Sequence, residues 1–213
     1  PGWHEIDDMT HTPVNANLRD IWGWMFAGVN RVNFIMEYQD KTEFTGKNEV
    51  LAQARFLRAY FYFELVKWFG DVPLSVDKRI QFGEQFSIER TPKSEIYAQI
   101  ELDLQFAAAN LPEVQSEAGR VTKGAANALL GKAYLFQDNF PEAAQAFDKV
   151  IAGPYDLVED YATIFEHEGE NEIESVFEVQ YTDKEGASFE CFVCSEGNIA
   201  VGFSGIKTYT GPE

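Results

Sequence analysis

The pattern of apolar and polar positions divides the chain into a helical part and an irregular part. Between residues 17 and 152, apolar side chains recur at steps of three and four residues, the period of a helix that buries one face. This pattern predicts five helices, at about 17–36, 48–69, 91–111, 122–136 and 141–153. Residues 1–16 and 153–213 lack the period, and they predict mostly loop with short strands, one of them at 176–181.

Local signals place several helix boundaries. Asn48 is a candidate N-cap of the second helix, and Gly70 follows its last residue. Thr91 followed by Pro92 predicts the start of the third helix, because a hydroxyl cap commonly precedes a proline at the first helical position. Thr122 predicts the start of the fourth helix in the same way.

The last two predicted helices carry a partial repeat signature. Gly131 and Tyr134 lie in a match to the L-G-x2-Y pattern of the tetratricopeptide repeat, and Ala143 and Phe147 follow at its A-x3-F spacing. The small residues allow two helices to approach closely, and the aromatic residues fill the space between them. Asn127 stands where the repeat has a tryptophan.

Composition and charge then exclude some partners. The chain has 213 residues, with 17 Lys and Arg against 35 Asp and Glu, a formal net charge of −18. We therefore expect no nucleic-acid partner and no direct binding to an anionic membrane, because both need clustered cations. Aromatic residues make up 15% of the chain, and their flat faces suit stacking on sugars or peptides.

One segment of the second helix points to a known family. The run Arg-Phe-Leu-Arg-Ala-Tyr-Phe-Tyr-Phe-Glu-Leu at 55–65, with Phe-Gly-Asp-Val-Pro-Leu at 69–74, resembles the signature of the SusD/RagB family, the surface nutrient-binding lipoproteins of Bacteroidetes. Further segments resemble that family in the same order, at 22–33, 90–97, 119–134 and 171–178. The resemblance covers about residues 17–181.

The resemblance implies a mainly α fold, a tetratricopeptide-like helical scaffold with irregular loops and a few short strands. Residues 1–213 would be part of a single SusD-like domain, with the scaffold at 17–152. Family members lie at the cell surface on the outer membrane, hold an oligosaccharide or in some branches a peptide, and cap a TonB-dependent SusC-like porin. They are longer than this chain, so we expect it to be the N-terminal half of a longer protein whose lipid anchor lies outside it.

A candidate ligand site lies in the first loop. An aromatic face there stands among donors and acceptors that suit the C–H patches and hydroxyls of a sugar, namely Trp3, His4, Asp7, Asp8, His11, Asn15 and Asn17. Family members similarly place ligand-contacting aromatics and an Asn just before the first long helix. The alternative is that Trp3 covers the scaffold and that the polar groups are solvated.

The other tryptophans have different predicted roles. Trp22 shares a helical face with Phe26 and Val29, which predicts core packing. Trp24 lies about 200° away on the same helix, and it is either packed by a second element or exposed near the loop as a further candidate for ligand binding. Trp68 is expected to pack at the end of the second helix.

Several chemically conspicuous residues have structural interpretations. We expect Arg55 and Arg58 to pair with carboxylates and stack on aromatic rings rather than hold a ligand. Cys191 and Cys194 allow a disulfide or redox role, but zinc would need a second pair of ligands. The acidic segment 166–172 lacks the order of a calcium loop and is expected to be solvated.

The first functional hypothesis is a non-enzymatic protein that captures glycans and passes them to a porin, with no cofactor and no metal ion. A peptide-binding member of the same family is the first alternative. A tetratricopeptide scaffold for protein partners is the second, although consecutive equal repeats are missing. An enzyme is the last alternative, because no catalytic motif appears and nothing positions two carboxylates for glycoside hydrolysis.

Overall fold

The computed structural model describes residues 2–84, 87–166, 169–180, 200–202 and 205–207, without the side chains of Trp3 and of the last two segments. Its helices are α1 (Gly2–Asp7), α2 (Ala16–Tyr38), α3 (Lys47–Phe69), α4 (Lys93–Asn110), α5 (Lys123–Leu135) and α6 (Phe140–Ile151). Short 3-10 turns lie at Gln39–Lys41 and Tyr161–Phe165, and two antiparallel strands pair β1 (Ala200–Gly202) with β2 (Gly205–Lys207). The predicted mainly α scaffold is confirmed.

The first segment differs from the predicted loop, because Gly2–Asp7 form a short helix. No proline interrupts these residues, and the amide of Asp8 donates to the carbonyl of His4 at 2.9 Å. The helix ends where Met9 takes a φ of 56°, which turns the chain toward α2.

The predicted cap of α3 was wrong. The helix begins at Lys47, and Gly46 precedes it with a φ of 87°, a conformation that favours glycine. The carbonyl of Gly46 accepts from the amides of Glu49 and Val50 at 3.0 and 3.1 Å. Asn48 therefore lies inside the first turn rather than at the cap.

The start of α4 is capped by a residue that is distant in sequence, so the predicted hydroxyl cap at Thr91 was wrong as well. Thr91 forms an isolated bridge with Val72, and the first helical amide, that of Lys93, donates to Oδ1 of Asp71 at 2.8 Å. At α5, by contrast, the hydroxyl of Thr122 accepts from the amide of Ala125 at 3.1 Å, as predicted.

The predicted strand at 176–181 was wrong for 176–180, the part that the structure describes. Within the described part of the chain these residues are not in a strand, and their apolar side chains pack on the helical core. The rings of Phe177 and Phe56 are 5.8 Å apart. The side chain of Gln180 lies over Gly119, where a Cβ would come within 2.7 Å of Gln180 Cγ. The apolar side chains of this segment thus pack on the helices.

The core forms where consecutive helices of the scaffold pack against each other. Buried apolar residues from α2 to α6 form a large cluster, which includes Val29, Phe56, Tyr62, Ile100 and Leu129, and a smaller cluster lies between α2 and α3. In the α5–α6 hairpin, a Cβ at Gly131 would come within 2.6 Å of the Phe147 ring, so the helices approach as the repeat signature predicts. No helix in the described ranges has the length and apolar content to cross a bilayer.

The arginines of α3 have the predicted structural roles. The Arg58 guanidinium forms two hydrogen bonds of 2.7 Å to Asp103 on α4, and both side chains are buried. It also donates to the carbonyl of Val76. The guanidinium of Arg55 lies 4.0 Å from the centre of the Phe106 ring. These contacts join α3 to α4 and to the segment that follows α3.

That segment is held on α2 and α3 by polar side chains. The Tyr62 hydroxyl donates to the carbonyl of Ser75 at 3.0 Å and accepts from its amide at 2.7 Å. Burial raises the pKa of Tyr62 to about 12. On α2, hydrogen bonds from the backbone and guanidinium of Arg79 lower the pKa of Glu37.

Candidate functional site

The first loop presents an exposed polar surface. His4 and Asp7 lie on α1, His11 lies on the connection to α2, and all three side chains are exposed. The backbone of Trp3 belongs to α1, while its side chain lies outside the described part of the structure. The stretch therefore offers imidazole and carboxylate groups to solvent, where a hydroxylated ligand could reach them.

Asn15 is buried and has a structural role. Its Oδ1 accepts from the amides of Asn17 and Leu18 at 2.9 and 3.2 Å, which caps α2. Its Nδ2 donates to Oε2 of Glu5 at 2.9 Å and thereby ties α1 to the start of α2. The sequence pattern did not identify Glu5 as a partner of Asn15. The position of Asn15 directly before the helical period was the available signal for a cap.

The tryptophans of α2 are placed differently. Trp22 packs on the core, with its ring centre 4.8 Å from that of Phe26 and 5.1 Å from that of Phe69, as predicted. Trp24 is half-buried. It lies about 12 Å along the helix axis from Ala16, so it is two turns from the first loop.

Trp68 was expected to pack, but its side chain is 44% exposed. Its neighbour Phe69 contacts Trp22, so the end of α3 lies beside the first turns of α2. Sequence reasoning could not find this, because the placement depends on how α2 and α3 pack. The structure thus sets an exposed indole at the same end of the helix pair as the first loop.

The electrostatics of this end are acidic. Residues 1–20 contain four carboxylates, at 5, 7, 8 and 20, and one guanidinium, at 19. Such a surface accepts hydrogen bonds from neutral hydroxyls and repels anions. In the described ranges, no group of three or more His, Cys, Asp or Glu could hold a metal ion. Cys191 and Cys194 lie outside those ranges.

A second concave feature lies away from the first loop. A groove of about 500 Å³ opens between α4, α5, α6 and residues 153–155, and its lining includes Gln105, Lys123, Asn127 and Tyr155. Sequence reasoning did not identify it as a site. The available signal was the asparagine at 127 in place of the tryptophan of the repeat.

Comparison with known proteins identifies relatives of this architecture. The SusD-like family profile described as "Starch-binding associating with outer membrane" matches residues 3–135. The SusD-like protein P2 of Formosa agariphila is 31% identical over 155 residues, which are 69% of this chain and 30% of that protein.

Solved structures agree with the family match. A SusD-like protein from Bacteroides fragilis is 30% identical with a TM-score of 0.74, and the match covers 83% of this chain and 36% of that one. A laminarin-binding SusD-like protein is 31% identical with a TM-score of 0.71, covering 77% of this chain and 38% of that one. The chain thus spans about a third of the length of these relatives.

Proposed function

The chain belongs to the SusD-like family, and on that premise we propose that it serves in a non-catalytic binding protein that captures oligosaccharides at the cell surface. The observation that carries the proposal is the family match over residues 3–135, which spans the first loop and α1 to α5. The similarity to a laminarin-binding SusD-like protein supports a glycan as the ligand class.

We propose that the ligand lies at the end of the α2–α3 pair beside the first loop. Exposed His4, Asp7 and His11 offer hydrogen bonds to sugar hydroxyls, and the exposed indole of Trp68 offers a flat face to the C–H patches of the rings. We propose Trp3, in the sequence of the same first loop, as a second stacking residue. Trp24 is a further candidate on α2.

Titration calorimetry of the protein against neutral and charged oligosaccharides and peptides tests this function. We expect saturable binding of a neutral oligosaccharide. Trp3→Ala and Trp68→Ala should each weaken it at least tenfold, because each removes a stacking face. Phe82→Ala is the matched control, because Phe82 is a fully exposed aromatic residue away from the first loop. Its segment contacts the C-terminal half of α2, where the amide of Ile80 donates to Asn30.

The outcomes separate the possibilities. Unchanged affinity in both tryptophan variants, at unchanged melting temperature, would remove the proposed site. Saturable binding of a peptide and of none of the oligosaccharides would favour the peptide-binding alternative. Binding of neither class would contradict the proposed function.

The proposal extends to a partner and a location. The family description places its members in association with the outer membrane. We propose that the intact protein is lipid-anchored there and delivers its ligand to a TonB-dependent SusC-like porin. Affinity purification from outer-membrane extracts should recover such a porin, and its absence from stoichiometric complexes would contradict the delivery step.

A further inference from the structure

We infer that the groove between α4, α5 and α6 is a second glycan subsite that holds part of an oligosaccharide through a pyranose ring. This inference rests on the proposed function, because it assumes a glycan ligand. None of the groove-lining residues belongs to the first loop, α1, α2 or α3, so the subsite is separate from the one proposed above.

One residue of the groove carries an unsatisfied hydrogen-bond acceptor. Asn127 lines the groove and is only 3% exposed. Its Nδ2 donates to the carbonyl of Lys123 at 3.0 Å, while its Oδ1 has no hydrogen-bond partner among the described residues. A buried acceptor without a donor is destabilising, and this one belongs to a residue that lines the groove, so a ligand hydroxyl that displaces the lining around Asn127 would supply the missing donor.

The groove lies beside a position at which the repeat signature has a bulky side chain. Residue 127 is the position at which the repeat signature has a tryptophan. Asparagine fills much less volume than an indole, and the groove beside it holds about 500 Å³. With asparagine in place of tryptophan, a large apolar side chain is absent and a polar amide lies beside the groove. A site for a hydroxylated ring requires both the space and a polar group.

An aromatic ring with close backbone contacts forms one wall of the groove. The Tyr155 hydroxyl lies 3.0 Å from that of Thr122. The ring rests on two glycines, since a Cβ at Gly124 or Gly153 would come within 2.4 or 3.3 Å of Tyr155 Cε2. Tyr155 is half-buried and lines the groove, so part of its ring is free to contact the C–H face of a sugar.

The lining of the groove combines charged, polar and apolar residues. Lys123 and Lys149 are among the lining residues, and the ammonium group of Lys123 lies 3.4 Å from the carboxylate of Glu113. The remaining wall is largely apolar, from residues such as Ala109 and Leu130. Donors and acceptors beside an apolar surface match a pyranose ring, which has hydroxyls at its edge and C–H groups on its faces.

Photoaffinity labelling of the full chain tests the subsite. The probe is laminaritriose that carries a diazirine, and the labelled positions are read by mass spectrometry. We expect labelled peptides from 105–109, 123–130 or 149–155. Ala109→Phe should reduce this labelling at least tenfold, because the exposed Ala109 lines the groove and a phenyl ring would fill it.

Two further variants sharpen the test. Ala144→Phe is the matched control, because Ala144 is exposed on α6 and does not line the groove, so labelling should not change. Asn127→Leu should reduce labelling at least threefold and leave the melting temperature unchanged or higher, since it removes the unsatisfied acceptor.

Labelling confined to residues 2–24 or near Trp68 would overturn the subsite while leaving the proposed function intact. Equal labelling of the native protein and Ala109→Phe would overturn it too, and so would a groove that binds only water in a crystal soaked with the triose. Absence of labelling everywhere, together with absence of calorimetric binding, would count against the proposed function itself.

Discussion

At the scale of single residues, one buried charge network connects three parts of the scaffold. Arg58 on α3 pairs with Asp103 on α4, and it also donates to Oδ1 of Asn33 on α2 at 3.3 Å. Removing two charges from water is costly, so the pair depends on its two short hydrogen bonds. Loss of one partner leaves the other charge buried and unpaired.

We therefore expect Asp103→Ala to lower the free energy of unfolding by about 3–5 kcal/mol, measured by urea denaturation. The control is Glu117→Ala, which breaks the exposed pair with Arg120 and should change it by less than about 1 kcal/mol. Similar effects of the two substitutions would show that Arg58 does not depend on its buried partner.

Tyr62 gives a second residue-scale prediction, in alkaline solution. Its pKa is about 12 in the folded protein against an ordinary value of 10.0. The neutral buried phenol thus contributes stability that is fully present below pH 10 and is lost as the pH rises through about 12. We expect the free energy of unfolding to fall by roughly 2–3 kcal/mol over this window from this group alone.

The comparison is with Tyr62→Phe, which lacks the ionisable hydroxyl. Urea denaturation at pH 8 should show the variant to be less stable, because the hydrogen bonds with Ser75 are lost. Its further loss of stability at high pH should be smaller than that of the native protein. Identical alkaline profiles would contradict the assignment.

Residue roles were predictable where a residue's own chemistry or its position on a helical face decides them. Arginines within an aromatic helix predict ion pairs and stacking, and Arg58 makes the ion pair while Arg55 makes the stacking contact. The partner Asp103 lies 45 residues from Arg58 along the chain. Its identity depends on the register of α3 against α4, which the sequence pattern does not specify.

At the scale of elements, the α5–α6 hairpin depends on a close helix crossing. Gly131 and the buried Ala143 provide the space, and the ring of Phe147 occupies it. The helix pair could be read from the sequence because its signature encodes this packing directly.

Two glycine substitutions test that packing. Gly131→Ala would gain helix propensity, but its Cβ would meet Phe147 within 2.6 Å, so we expect a net loss of about 1–3 kcal/mol. Gly23→Ala in α2 has nothing within 4 Å of the new Cβ, and it should stabilise by about 0.5–1 kcal/mol. Thermal unfolding of both variants gives the comparison, and equal shifts would contradict the close crossing.

Element boundaries were predictable where the cap lies within the local sequence. Thr122 caps α5 through its own hydroxyl. The starts of α3 and α4 depend instead on the backbone of Gly46 and on Asp71, which lies 22 residues before the amide it caps. A side chain from a distant part of the sequence can accept hydrogen bonds from the first amides of a helix as well as a neighbouring one can. The local sequence pattern does not reveal such a cap.

At the scale of the whole molecule, the antiparallel packing of α2 and α3 assembles the proposed site. It brings the end of α3, with the exposed Trp68, beside the start of α2 and the first loop. The sequence predicted an aromatic and polar first loop, but it also placed Asn15 among the ligand contacts, whereas that residue caps α2. Which aromatic faces remain exposed depends on tertiary packing, and so does the groove beside Asn127.

The central claim is that this helical scaffold captures a glycan without transforming it. Titration calorimetry with laminarihexaose, followed by chromatography of the recovered ligand, tests it most directly. The account predicts saturable binding and recovery of the hexasaccharide at its original length. Progressive release of shorter oligosaccharides, or the absence of saturable binding to this and every other oligosaccharide of the panel, would contradict it.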